Sequence, residues 1–148
     1  MADQNFRLGW SIENGKFKYE LIRSAQKKVD RAIESGFHIE ATALLESLIA
    51  DRIESSIEHK AGEIQKVQNL GPLIKNAVSH GIIQEDFAAD IRKWSNNRAK
   101  VVHEMVKVTN DNSGSFRERM MFARELALAG KEILKKLEKI SRTYRPGR

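Results

Sequence analysis

Between residues 41 and 53 the apolar side chains Ala41, Leu44, Leu45, Leu48, Ile49 and Ile53 recur at intervals of three and four. That spacing places them on one stripe of an α-helix and excludes the two-residue period of a half-buried strand. A stripe this apolar must be covered by other elements. The segment 37–60 is therefore predicted as the central helix of a bundle, and the rest of the chain must supply the helices that cover it.

The flanking segments supply them. Phe17, Leu21, Ile22, Ala25, Val29 and Ile33 mark a first helix over 16–35, ended by Gly36 as glycine ends helices. Residues 1–15 show no sustained period and read as an arm able to lay Phe6 and Trp10 on the core. Gly71-Pro72 opens a short helix with Pro72 at its first position, closing at His80-Gly81. A fourth helix follows over 84–108. Ser115, with Glu118 three residues on, forms a capping box for a last helix reaching Arg142. In that last helix Phe116, Met120, Met121, Phe122, Leu126, Ile133, Leu134, Leu137 and Ile140 form a stripe wide enough for a core, or for a core and a partner subunit. The expected fold is all-α: an antiparallel bundle of four long helices plus a short one, as a single domain over 16–142 with a basic tail over 143–148.

Composition narrows the function classes. The chain has 148 residues, enough to bury about 70% of the surface its unfolded form exposes. It contains no cysteine, so thiolate catalysis and cysteine-ligated zinc are excluded. The four histidines lack H-x-x-x-H or H-E-x-x-H spacing, so no metal site and no cofactor is expected. Neither a secretory signal nor an apolar run of about 20 residues is present, which points to a cytoplasmic protein without membrane contact. Of the +6 net charge, all the excess lies in residues 114–148, with ten Lys and Arg against four Asp and Glu, whereas residues 1–113 carry 16 of each. Such a basic end is either a solvated helix face or an attraction to a polyanion such as RNA.

The fourth helix carries the densest chemistry. Asn96, Asn97, Arg98, Lys100 and His103 fall within eight positions. At about 100° per residue, Phe87, Ile91, Trp94, Val101, Val102, Met105 and Val108 share a core stripe with Arg98 near its centre. His103 falls on a polar stripe with Arg92, Asn96, Lys100 and Lys107, roughly 140° from Arg98. An arginine on an apolar face needs either a carboxylate from the second helix or a cleft in which its fork can hold phosphate. Arg52, on the stripe of the second helix, is expected to be snorkelling or carboxylate-paired. His38, His59 and His80 have no such neighbourhood and are assigned no role.

Arg98-Ala-Lys-Val-Val-His103 resembles the R-x4-6-H signature of the HEPN superfamily, and residues 70–83 look like the helix and turn that lead into it. The resemblance covers residues 17–140. It implies a helical, metal-independent endoribonuclease of toxin–antitoxin or phage-defence type, active as a homodimer whose two copies of Arg98 and His103 line one cleft. In that reading His103 serves as general acid or base in attack of the ribose 2′-hydroxyl on phosphorus, leaving a 2′,3′-cyclic phosphate and a 5′-hydroxyl. Arg98 stabilises the developing charge. Asn96, Asn97, Lys100 and Lys107 would bind or support the RNA, and a nucleotidyltransferase-like antitoxin would be a partner. The chain departs from the pattern at Ala99, where the family commonly carries a polar residue, and Asn96 or Asn97 could replace it. The alternatives are an inactive HEPN-like module that binds RNA, nucleotide or protein, and a DNA-binding helix-turn-helix over Leu73 to Trp94.

Overall fold

The computed structural model describes residues 12–62 and 69–144. Five helices follow in order: α1 (Ile12–Glu34), α2 (His38–Ala61), α3 (Leu70–Ser79), α4 (Glu85–Glu104) and α5 (Phe116–Tyr144). Among the described residues there is no strand, only an isolated bridge between Thr109 and Asn112. No helix among them is long and apolar enough to cross a membrane. The all-α class and the count of four long helices and a short one are thus as predicted. Phe6, Trp10 and residues 145–148 of the basic tail lie outside the described residues.

α2 is central because its stripe is covered from every side. Leu45, Ile49, Ile53 and Ile57 are fully buried, and α2 touches each of the other four helices, α5 most extensively. Leu126, Ala127, Ile133, Leu134 and Leu137 of α5 join Leu73 and Ile74 of α3 and Ile91 and Trp94 of α4 in one continuous core.

The directions of the four long helices alternate along the chain. Lys18 in the first part of α1 pairs with Asp51 past the middle of α2, and Phe87 and Trp94 of α4 lie against Lys136 and Leu126 of α5, so both pairs are antiparallel. α2 and α5 instead run in the same direction, since Leu45 adjoins Gly130 and Lys60 sits over the Tyr144 ring. Alternating up and down sets the second and fourth long helices on a diagonal. Gly130 lets that diagonal close. A methyl group at Gly130 would stand 2.8 Å from Cζ2 of Trp94 and 3.1 Å from Cδ1 of Leu45.

Three predicted boundaries move. α1 begins at Ile12, inside the segment read as an arm. α3 begins at Leu70, so Pro72 is its third residue rather than its first, still within the turn whose N–H groups lack helical partners. α4 ends at Glu104, one turn before Val108. The glycine stops hold: Gly36 and Gly81 adopt φ of 84° and 69°, a conformation costly for other residues.

Candidate functional site around the end of α4

The sequence stretch of interest occupies the second half of α4, and tertiary packing divides its residues among three places. Arg98 turns toward α2, where its Nη1 lies 2.6 Å from Oε2 of Glu46, each side chain less than a third exposed. Of the two environments an apolar-face arginine could take, the carboxylate from the second helix is the one observed. Its Nε is buried without a hydrogen-bond partner.

Asn97 and Lys100 line a cleft of about 320 Å³ between the end of α4 and the start of α5. Its ionisable lining comprises Lys100 and Arg119 against Glu104, Asp111 and Glu118. That balance is acidic, and Oε2 of Glu104 is buried without a partner. Asn96 is exposed on the helix surface.

His103 is exposed and meets Lys107, whose Nζ lies 2.9 Å from its Nε2. An ammonium group has only donors, so Nε2 of the ring accepts this bond and carries no proton in it. Arg98 and His103 are therefore not brought together within one chain. One faces α2 and the other faces outward.

The apolar stripe predicted for α4 also breaks here. Ala88, Ile91 and Trp94 are buried, but Val102 is exposed and Val108 lies beyond the helix, 83% exposed. Beside this break lies Arg119, a residue that sequence reasoning passed over. Its guanidinium is buried and donates to five backbone carbonyls: Nε to Gly114 (2.8 Å), Nη1 to Glu104 (2.7 Å), Met105 (3.2 Å) and Lys107 (2.5 Å), and Nη2 to Asn112 (3.2 Å). The Glu104 carbonyl is the last of α4 and the others belong to Met105 and the loop after it, so one cation ties the end of the helix to the chain that leaves it. The signal was present in the sequence. A cation in the first turn of α5 opposes that helix's dipole and needs another reason to be there.

Near Gly81 the chain turns as a helix-turn-helix would, but the start of α4 exposes Glu85, Asp86 and Asp90, and Arg92 lies 3.8 Å from Glu85. Carboxylates on that surface repel a phosphate backbone.

Elsewhere Arg52 is buried and bonded to Asp51, whose oxygens it shares with Lys18. The carboxylate pairing expected of it is the observed one. Burial alone would push the Asp51 carboxyl up, but hydrogen bonds from Lys18 and Arg52 and their charges hold it below its ordinary value. His38 is buried, and burial followed by the Arg124 charge pushes its imidazole below the ordinary value. His80 is held through Nδ1 to the carbonyl of Asn76 at 2.8 Å. No family model matches the chain, and no curated protein or solved structure matches it.

Proposed function

We propose that the chain is a HEPN-like endoribonuclease that cleaves RNA without a metal ion, its site completed when two copies pair. The observation that carries this reading is the split of the motif across α4. His103 faces outward, and apolar side chains near it in sequence and at the start of α5 are left uncovered by one chain: Val102 before it, Val106 and Val108 after it, and Phe116, Met121 and Phe122. A two-fold pairing over that end of the molecule would bury those side chains and set two copies of α4 face to face. His103 would then take the proton of the ribose 2′-hydroxyl or return one to the departing 5′-oxygen. The Lys107 bond supports the first role, because it uses Nε2 as an acceptor. Arg98 would have to leave Glu46 to reach the phosphate, keeping its permanent charge for the transition state. Asn97 and Lys100 lie on the same stretch and would hold the strand.

A second reading is favoured by one contact. The Arg98–Glu46 pair at 2.6 Å suits a module that binds RNA, nucleotide or protein without cutting, with Arg98 retained as a strut between α2 and α4. The DNA-binding reading has no such support, given the acidic start of α4.

The deciding experiment is incubation of the purified chain with RNA in EDTA, with light scattering to follow its mass. Cleavage that survives chelation, gives 2′,3′-cyclic phosphate ends and is lost in both Arg98→Ala and His103→Ala supports the ribonuclease reading. Salt-sensitive binding with no cleavage supports the second. Cleavage at the wild-type rate in both variants removes the motif from the mechanism.

A further inference from the structure

A second pocket, of about 260 Å³, opens between α1, α2 and α5 on the Arg52 side of the bundle, apart from the end of α4. Three guanidinium groups line it, one from each helix: Arg23 from α1, Arg52 from α2 and Arg142 from α5. Among the described residues the only carboxylate in its lining is Glu138, which accepts a hydrogen bond from Gln26 across the same wall. Tyr19 and Ile22 form the remaining side.

Pairing among the described residues explains only part of this arginine cluster. Arg52 has a side chain only 6% exposed, and both Nε and Nη2 are spent on one oxygen of Asp51, at 3.2 and 2.5 Å. That carboxylate also binds Lys18 at 2.6 Å. Nη1 of Arg52 has no partner among the described residues, and neither Arg23 nor Arg142 has a carboxylate partner among them. Packing alone gives no reason to gather three like charges around one hollow. Their mutual repulsion is relieved by an anion that enters it.

We infer that this pocket binds a phosphate monoester, with the phosphate among Arg23, Arg52 and Arg142 and the organic body against Tyr19 and Ile22. Charge selects the ligand class: among the described lining residues, three guanidinium groups less the Glu138 carboxylate leave two positive charges, the complement of a dianionic phosphate. Planar forks offering paired N–H donors match phosphate oxygens in a way ammonium groups do not. Arg52 is the fixed member, because burial and Asp51 hold it in place, while Arg23 and Arg142 are exposed and can close over the ligand. The inference goes beyond the ribonuclease reading and does not depend on it.

The test is isothermal titration calorimetry of the full chain at constant ionic strength, with inorganic phosphate, ribose 5-phosphate, adenosine 5′-monophosphate and adenosine as separate probes. The expected result is saturable one-to-one binding of at least one phosphate-bearing probe and none of adenosine. Whichever of the three binds tightest distinguishes free phosphate from a sugar phosphate or a nucleotide. Arg23→Gln and Arg142→Gln, both at exposed positions, are each expected to weaken binding about tenfold or more, as loss of a charge-assisted contact does. Arg52→Lys keeps the charge but removes the fork and is expected to weaken it similarly, while Lys139→Gln, an equal charge change on the same helix outside the pocket, leaves it unchanged. Thermal melting of each variant reports whether it is folded. No saturable binding by any phosphate-bearing probe, binding of adenosine as tight as of its monophosphate, or equal weakening by Lys139→Gln would each overturn the inference.

Discussion

Gly130→Ala tests the tightest contact in the bundle. The new methyl group would stand 2.8 and 3.0 Å from Cζ2 and Cε2 of Trp94 and 3.1 Å from Cδ1 of Leu45. The indole cannot retreat freely, because its Nε1 donates to the carbonyl of Leu126 at 2.7 Å, on the same helix as the substitution. Overpacking of this kind costs about 1–3 kcal/mol, and losing the indole bond adds about 1 kcal/mol. Against this, alanine is favoured over glycine within a helix by about 1 kcal/mol. The net is a loss of about 2 kcal/mol, which for a chain of this size lowers Tm by about 4–8 °C. Thermal and urea denaturation measure it directly. Gly15→Ala in α1 is the control: Gly15 is exposed with nothing near the added methyl, and the change should stabilise by up to about 1 kcal/mol. In a Trp94→Phe background the cost at Gly130 should fall by about 1 kcal/mol or more, since contacting residues couple. A Gly130→Ala protein as stable as the wild type, or a cost independent of Trp94, would refute the close approach.

Arg119→Met removes the side-chain donor from five backbone carbonyls, of which only Glu104 and Asn112 keep a backbone N–H donor, from Lys107 and Thr109, and should cost at least about 2 kcal/mol, with hydrogen exchange accelerating in residues 104–114 before the rest of the chain. Lowering the pH should destabilise the fold in two windows: His38 is kept neutral in the fold, so stability declines as the pH falls below its ordinary value of 6.5, and His38→Gln should flatten that slope in urea denaturation. Asp51 is held ionised, so its contribution is intact above the ordinary 3.8 and is lost as the pH falls through its lower folded value. Glu46→Gln should cost no more than about 1 kcal/mol, because both members of its pair are partly solvated, and should raise RNA cleavage by freeing Arg98; cleavage reduced to the Arg98→Ala level would show that the pair positions the arginine rather than restraining it.

Much of the fold was legible because it rests on local rules. The stripe from Ala41 to Ile53 does define the most buried helix, and Gly36 and Gly81 do end the segments before them, since both properties reside in the residues themselves. What could not be read depended on contacts between residues distant in the chain. α4 continues by its own periodicity to Val108, but it ends at Glu104, where Arg119 holds the last helical carbonyl together with four carbonyls of the chain after it. Arg98 lies on the face the helical wheel gives it, yet only the assembled bundle selects Glu46 as its partner over an open cleft. The pocket of Arg23, Arg52 and Arg142 was invisible for the same reason: its three arginines come from three helices and share no spacing. Glycine in the middle of α5 reads locally as a weakness, and its use appears only when Trp94 and Leu45 arrive beside it.

The parallel seam between α2 and α5 also governs how the chain reaches this fold. Helical proteins fold fast when their contacts join near neighbours, as α1 with α2 and α4 with α5 do here. The seam that holds most of the core instead joins Leu45 to Gly130 and Lys60 to Tyr144, and α3, α4 and the connections between them must be gathered in before it can close. Docking the two hairpins along that diagonal is therefore the non-local part of the assembly. Substitutions along that diagonal change the folding rate only if docking has begun in the transition state.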